Sequence, residues 1–340
     1  MASRWPFRSP ARASLTPAVL ALAIAGCDPG IDGSDIGDVF AKTTADVALA
    51  KPVATAPKST LATRKRAPIA HSCVANMGEP ATLSERQARR PACRRARVLE
   101  RRDGGGSPRY GCVFAPGDLD ERKPLPLVVF LHGERDDPTA VHKKTRLGRR
   151  ARELDLTGDP RHRGFVILAP QARRIRYLNR WDVDYANRDN VDVKTIDSFV
   201  DTLLGEGLVD GRQIYVVGEG RGGQMAALYS MLRPDRVAAF ATYGSQASMW
   251  DWTCDEPATP AAVVYRACDS ITPCRDVEAW MGEREGLGQA TVSRRLGAGD
   301  KPEPRCDTRC SDKRGEANHH RWPKHSEDEV LEFLSRYSLE

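Results

Sequence analysis

Three absences narrow the reading of this sequence. It has no apolar run long enough for an ordinary membrane span; the run Leu15–Gly26 has instead the length of a secretory signal core. No internal repeat is evident, which sets aside solenoids and arrays. No nucleic-acid-binding motif accompanies the net charge of +6. The basic excess therefore reads as a solvated, arginine-rich face, and no nucleic-acid partner is expected. What remains is a chain of 340 residues, 40% hydrophobic and 29% charged, which can bury a full core. The default is one domain of about 230–270 residues with tails.

The N-terminus points to export. Arg4, Arg8 and Arg12 precede the apolar run, which ends Ile24-Ala25-Gly26-Cys27. This is similar to a lipobox, in which small residues allow cleavage before a cysteine that is then lipid-modified. Residues 1–26 are thus expected to be a lipoprotein signal peptide and Cys27 the lipidation site. The protein would be a cell-envelope lipoprotein, held to a membrane by its anchor, with inner and outer membrane both open. Of nine cysteines, eight remain after Cys27, and an even number in an exported chain suggests up to four disulfides. Zinc is the rival use, and Cys306-Asp-Thr-Arg-Cys310 is its best spacing, but no second Cys/His pair completes a site. No metal and no cofactor are expected.

Residues 27–70 have few large apolar side chains and read as a disordered tether. Residues 71–104 form a basic, cysteine-containing extension; Ser84–Arg102 alone holds eight arginines and two glutamates. A solvated, disulfide-pinned segment is the simplest reading, with a polyanion or lipid-headgroup patch as the rival. Residues 105–340 are regular. Tyr110–Ala115, Leu125–Leu131, Phe165–Ala169, Ile214–Val217, Val237–Thr242 and Ala261–Tyr265 read as short, mostly buried strands. Helical spacing falls on Asn190–Gly205, about Gly222–Leu232, and Glu327–Tyr337. Strands alternating with helices predict an α/β fold, a mostly parallel sheet covered on both faces.

Chemistry in such a sheet gathers at the carboxyl ends of the strands. The most informative end is Ile214–Ala227, a β-branched run into Gly218-Glu219-Gly220-Arg221-Gly222 and then a helix former. This is the grammar of a nucleophile elbow, G-x-S-x-G, with Gly220 where the serine belongs. His132-Gly133-Glu134 follows an earlier strand, Asp269 a later one, and His320 precedes the last helix. That order of nucleophile position, acid and histidine is the order of an α/β-hydrolase fold.

From about Arg109 to Tyr337, roughly two thirds of the chain, the sequence resembles the secreted polyhydroxybutyrate depolymerase and feruloyl-esterase-like branch of α/β-hydrolases. The resemblance rests on Arg109-Tyr110…Pro116, Val128–Gly133, Trp181…Asp192-Val193, Asp269…Thr272-Pro273 and His320-Arg321-Trp322-Pro323. It implies Asp269 and His320 as the acid–base pair, with His319 the alternative histidine, and an oxyanion hole at Glu134 and Arg221. It also implies an ester, polymer or carbohydrate-linked ligand in the cleft. The departure is Gly220: acyl transfer needs an oxygen or sulfur nucleophile, and glycine has none. Ser245, Ser248 and Ser270 lie near strand ends but outside the elbow.

Three functions fit this pattern. The first is a catalytically impaired domain that binds through an inherited cleft. The second is an ester hydrolase using another nucleophile or water. The third is a structural envelope lipoprotein.

Overall fold

A computed structural model describes residues 62–64, 88–117, 123–159, 162–175, 178–246 and 259–340. All lie in one unit running from Pro57 to Glu340. The signal peptide, Cys27, most of the tether and extension, and Ser248 lie outside the described residues.

The elements follow in chain order. Strands β1 (Ala62–Arg64), β2 (Arg97–Arg102), β3 (Pro108–Phe114) and β4 (Leu125–Leu131) precede helices α1 (Ala140–Lys143) and α2 (Leu147–Glu153). Then come β5 (Val166–Pro170), β6 (Arg173–Ile175), β7 (Leu178–Arg180), α3 (Val191–Gly205), β8 (Val209–Glu219) and α4 (Arg221–Leu232). The chain continues with β9 (Ala239–Tyr243), β10 (Ala261–Arg266), α5 (Cys274–Gly286) and β11 (Thr291–Leu296). It closes with α6 (Asp312–His319), α7 (Glu327–Leu334) and β12 (Tyr337–Leu339). Eight strands form one sheet in the order β11-β10-β9-β8-β4-β5-β3-β2. Its neighbours are parallel except at β3, which runs antiparallel to both β5 and β2.

Leu125–Leu131 shows why this sheet is covered twice. Its alternate side chains point to opposite faces. Leu127, Val129 and Leu131 join a core with α3, α4 and α5, whereas Val128 and Phe130 join a core with α1, α2 and α7. A strand apolar at every position needs apolar cover on both sides. Large side chains such as Trp181, Trp280, Phe199 and Phe240 are almost wholly buried, each contributing about 1.5–3 kcal/mol relative to exposure.

The connection from β4 passes to β5 on one side, while β8 returns on the other and β9, β10 and β11 follow outward. The chain thus changes direction between β4 and β8, and the crevice at their carboxyl ends is where such sheets place a site. The register pairs Leu131 with Gly218, which sets the His132-Gly133-Glu134 turn beside the glycine turn.

Several expectations needed revision. The sheet begins at Arg97, inside the stretch read as an extension, because Cys93–Cys112 ties that stretch to β3 and β2 pairs along it. The closing helix ends at Leu334, not Tyr337; Tyr337–Leu339 pairs with β1. Helices α5 and α6 and strand β11 carry weak apolar patterns and were not evident in the sequence.

Candidate functional site

The elbow is built by close packing around its glycines. A Cβ on Gly218 would overlap the carbonyl of Gly222, and one on Gly222 would overlap the carbonyls of Leu131 and His132. Only glycine lets α4 start this close to β4 and β8. Gly220 is the N-cap of α4, with φ 51° and ψ −121°, a backbone that costs a residue with a side chain strain of about 1–3 kcal/mol. Its N–H donates to the Tyr243 carbonyl at 2.8 Å. In front of it stands the His319 ring. A Cβ there would meet His319 Nε2 at 3.1 Å and His319 Cε1 at 3.6 Å.

His319 Nδ1 lies 3.0 Å from Asp269 Oδ2. The Asp269 carboxylate is held in place by its other oxygen, which accepts from the backbone N–H groups of Ile271 at 2.9 Å and Thr272 at 2.8 Å. Nδ1–H therefore donates to the carboxylate and Nε2 faces Gly220. The pair has the geometry of the acid and histidine of a triad, and the residue that Nε2 faces is a glycine.

The histidine is thus His319 and not His320. Successive helical residues point about 100° apart, so one of the pair at the end of α6 can face Asp269. His320 caps the helix, is exposed, and stacks edge-on against His319 with ring centroids 5.2 Å apart. Partial desolvation of its ring, then the neighbouring His319, hold its pKa below the usual value. The His-Arg-Trp-Pro segment serves another end: Trp322 is buried against Tyr243 and Phe130 and donates to Glu327.

Helix α6 has no apolar stripe to bury; only Gly315 is buried within it. Its position comes from other contacts. Cys268–Cys310 crosslinks the acid loop to the residues before α6. Asn318 Nδ2 donates to the Cys268 carbonyl at 2.8 Å. Gly315 lies so close to Ser270 that a Cβ would stand 2.5 Å from its backbone nitrogen. Cys274–Cys306 braces the same region. Cys306 and Cys310 thus enter different disulfides, which removes both thiolates from any zinc site. Glu278 sits beside Cys274 and Cys306, but both sulfurs are already bonded. Cys73 and Cys254 lie outside the described residues.

The side chains at the two expected oxyanion positions are each engaged elsewhere. The Arg221 guanidinium turns away, donating to the Trp181 carbonyl at 2.8 Å and Asp184 at 2.5 Å. Glu134 pairs with Arg180 at 3.6 Å. Among the described residues no acceptor takes either backbone N–H. His132 is wholly buried: Nδ1–H donates to the Gly133 carbonyl at 2.8 Å and Nε2 accepts from the Ala172 N–H at 3.2 Å. Burial lowers its pKa, so it is a neutral strut for the turn. Trp181 Nε1 donates to the His132 carbonyl at 2.8 Å. Ser245 packs where a Cβ on Gly223 would overlap its hydroxyl, and Ser270 donates to the Asp312 carbonyl at 3.0 Å.

Glu219 was legible only as a flanking charge. It is buried, and desolvation pushes its pKa up to about 7 against the pull of Lys144. Lys144 Nζ donates to Glu219 at 3.1 Å and to Asp136 at 2.6 Å. Burial opposes the Lys144 ammonium, but the two carboxylates outweigh it and its pKa rises. Glu219, His319, Asp269 and Trp322 line a cavity of about 10 Å³, room for about one water molecule.

No protein-family model matches the sequence, and no curated protein matches it. Solved structures do. A thermostable esterase aligns with TM-score 0.50 at 19% identity, over 72% of this chain and 64% of that one. The chain therefore spans less than two thirds of that esterase. The apoenzyme of S-formylglutathione hydrolase (FrmB) from Staphylococcus aureus aligns at 0.51 and 13% identity, over 71% of this chain and 98% of that one. A ferulic acid esterase aligns at 0.51 and 14%, over 71% and 99%. At such identities the likeness speaks to the fold alone. With the strand order, it gives this domain the α/β-hydrolase fold.

Proposed function

We propose that this domain is a catalytically impaired member of the esterase-like α/β-hydrolases, exported as a lipid-anchored protein of the cell envelope and acting by binding rather than by acyl transfer. The observation that carries this reading is the elbow backbone at Gly220 facing His319 Nε2 with no side chain between them. An acyl-enzyme needs a nucleophile at that point whose proton the imidazole can take. The cavity at the dyad admits water but no ester, so binding falls to the mouth of the crevice and the surface around it. The ligand class that the polyhydroxybutyrate depolymerase and feruloyl esterase resemblance suggests is an ester, a polyester or a carbohydrate-linked ester.

The test is hydrolysis of 4-nitrophenyl acetate by the native protein and by Gly220→Ser, with a fluorophosphonate probe as a second readout. The native protein is expected to stay at the buffer rate and to remain unlabelled. Native turnover at the level of ordinary esterases would overturn the reading. Calorimetric titration with hydroxybutyrate oligomers and feruloylated sugars separates binding from a structural role, since a purely structural domain gives no heat with either.

A second reading has one observation behind it. The cavity beside the His319–Asp269 pair fits one water, whose proton His319 could take. A water mechanism would leave native hydrolysis slow but abolished in His319→Ala.

A further inference from the structure

A second site lies away from the elbow, between the crosslinked Cys93 turn and α2. A cavity of about 550 Å³ opens there, within the size range of small-ligand sites. Its lining includes Arg94, Arg95, His142, Arg146, Arg149 and Arg152, and no acidic residue among the described ones. A second cavity of about 480 Å³ shares Arg94 and His142 with it and adds Lys143 and one acid, Asp137, whose carboxylate is taken up by the Thr139 backbone N–H and hydroxyl.

An arginine-rich surface is usually a solvated face with its charges paired. This one is not paired. Among the described residues the side-chain cations of Arg94, Arg95, Lys143, Arg146 and Arg152 make no ion pair within 4.0 Å, although the Arg146 backbone N–H donates to Glu327 at 2.8 Å, and Arg149 has only Glu153, at 3.7 Å. The cations are also held by structure. Cys93–Cys112 fixes the turn to the buried strand β3. Within that turn Arg95 has φ 54°, a left-handed backbone that a residue with a side chain adopts only under constraint. The His142 ring stands edge-on to Phe114, with centroids 4.1 Å apart, and against Gly148, where a Cβ would lie 2.7 Å from the imidazole. Arg146, Arg149 and Arg152 recur every three residues, on neighbouring positions of one helical side, in steps of about 4.5 Å along the axis.

We propose that this cavity binds a ligand carrying several phosphate groups in a row. A guanidinium fork matches the oxygens of one phosphate. A row of forks facing a second pair across a cavity matches several adjacent phosphates and is wasted on a single carboxylate. The phosphates can belong to a free polyphosphate or to lipid headgroups; the recognition chemistry is the same.

The test is calorimetric titration of the whole protein with sodium tripolyphosphate at physiological salt, beside flotation with phosphatidylcholine vesicles with and without phosphatidic acid. Arg146→Gln/Arg149→Gln is expected to weaken binding at least about tenfold, as loss of two charge-assisted contacts requires. Arg305→Gln/Arg309→Gln removes equal charge from a distant exposed stretch and is expected to change it by less than about twofold. Tripolyphosphate binding without vesicle binding assigns a soluble ligand; vesicle binding that needs phosphatidic acid, without tripolyphosphate binding, assigns a headgroup. Equal weakening in both double variants overturns the proposal in favour of diffuse charge, as does failure of both probes. Circular dichroism of each variant separates lost binding from lost folding.

Discussion

His319 Nε2 stands 3.1 Å from the point where a side chain on Gly220 would begin, while its Nδ1 stands 3.0 Å from Asp269. The imidazole is thus oriented by the carboxylate toward a position that has no nucleophile. That relationship separates two histidines adjacent in sequence and makes the elbow testable.

In a Gly220→Ser background, His319→Ala is expected to remove whatever ester hydrolysis the serine restores. His320→Ala should leave it within about threefold, since His320 makes no bond to Asp269. Rates with 4-nitrophenyl acetate check this. Loss in His320→Ala with retention in His319→Ala would reverse the assignment.

Gly222→Ala should destabilise the fold by about 3 kcal/mol or more, because its methyl group would enter the carbonyls of Leu131 and His132 where β4 and α4 meet. Gly282→Ala, in α5 with open space at its Cβ, should be neutral or stabilising by up to about 1 kcal/mol. Urea unfolding of the two variants compares them directly.

Glu219 couples stability to pH. Its folded pKa, up at about 7 from the ordinary 4.5, means the folded state binds more protons than the unfolded chain between those values. Stability from this group is therefore complete below pH 4.5 and lost as pH rises toward 7. The loss is on the order of 3 kcal/mol at most. Glu219→Gln should flatten that part of the profile. Urea midpoints across the interval measure it, and an unchanged slope would refute the assignment.

Removing the Cys268–Cys310 crosslink as a Cys268→Ser/Cys310→Ser pair should cost about 2–4 kcal/mol. It should also raise amide exchange across α6 before the rest of the sheet, because α6 buries only Gly315. Exchange rising equally in α4 would show that the crosslink supports the whole fold instead.

The α/β architecture was legible because its strands are apolar without alternation, and a segment apolar on both faces has few places to go but the middle of a covered sheet. Leu125–Leu131 and the elbow strand were visible for this reason, Val191–Gly205 because its apolar residues recur at helical spacing, and the elbow also because its glycines meet a steric demand within a few residues. Helix α6 was invisible: a polar segment of eight residues has no periodicity to read. Its place depends on Cys268, 42 residues before Cys310, and on the backbone of Ser270.

The choice between His319 and His320 shows the division most clearly. Composition, periodicity and motif order place a histidine near residue 320 opposite an acid at 269, and both residues satisfy that order. Which one meets Asp269 depends on the phase with which α6 ends, and no local pattern sets that phase. It follows from a crosslink, a glycine contact and an asparagine bond to residues about 45 positions away in the chain. The same long-range packing put Lys144 beside Glu219 and left Arg152 of α2, with Arg94 and Arg95 across from it, without an acid in ion-pair range among the described residues, because the charges that meet across a fold are chosen by its topology.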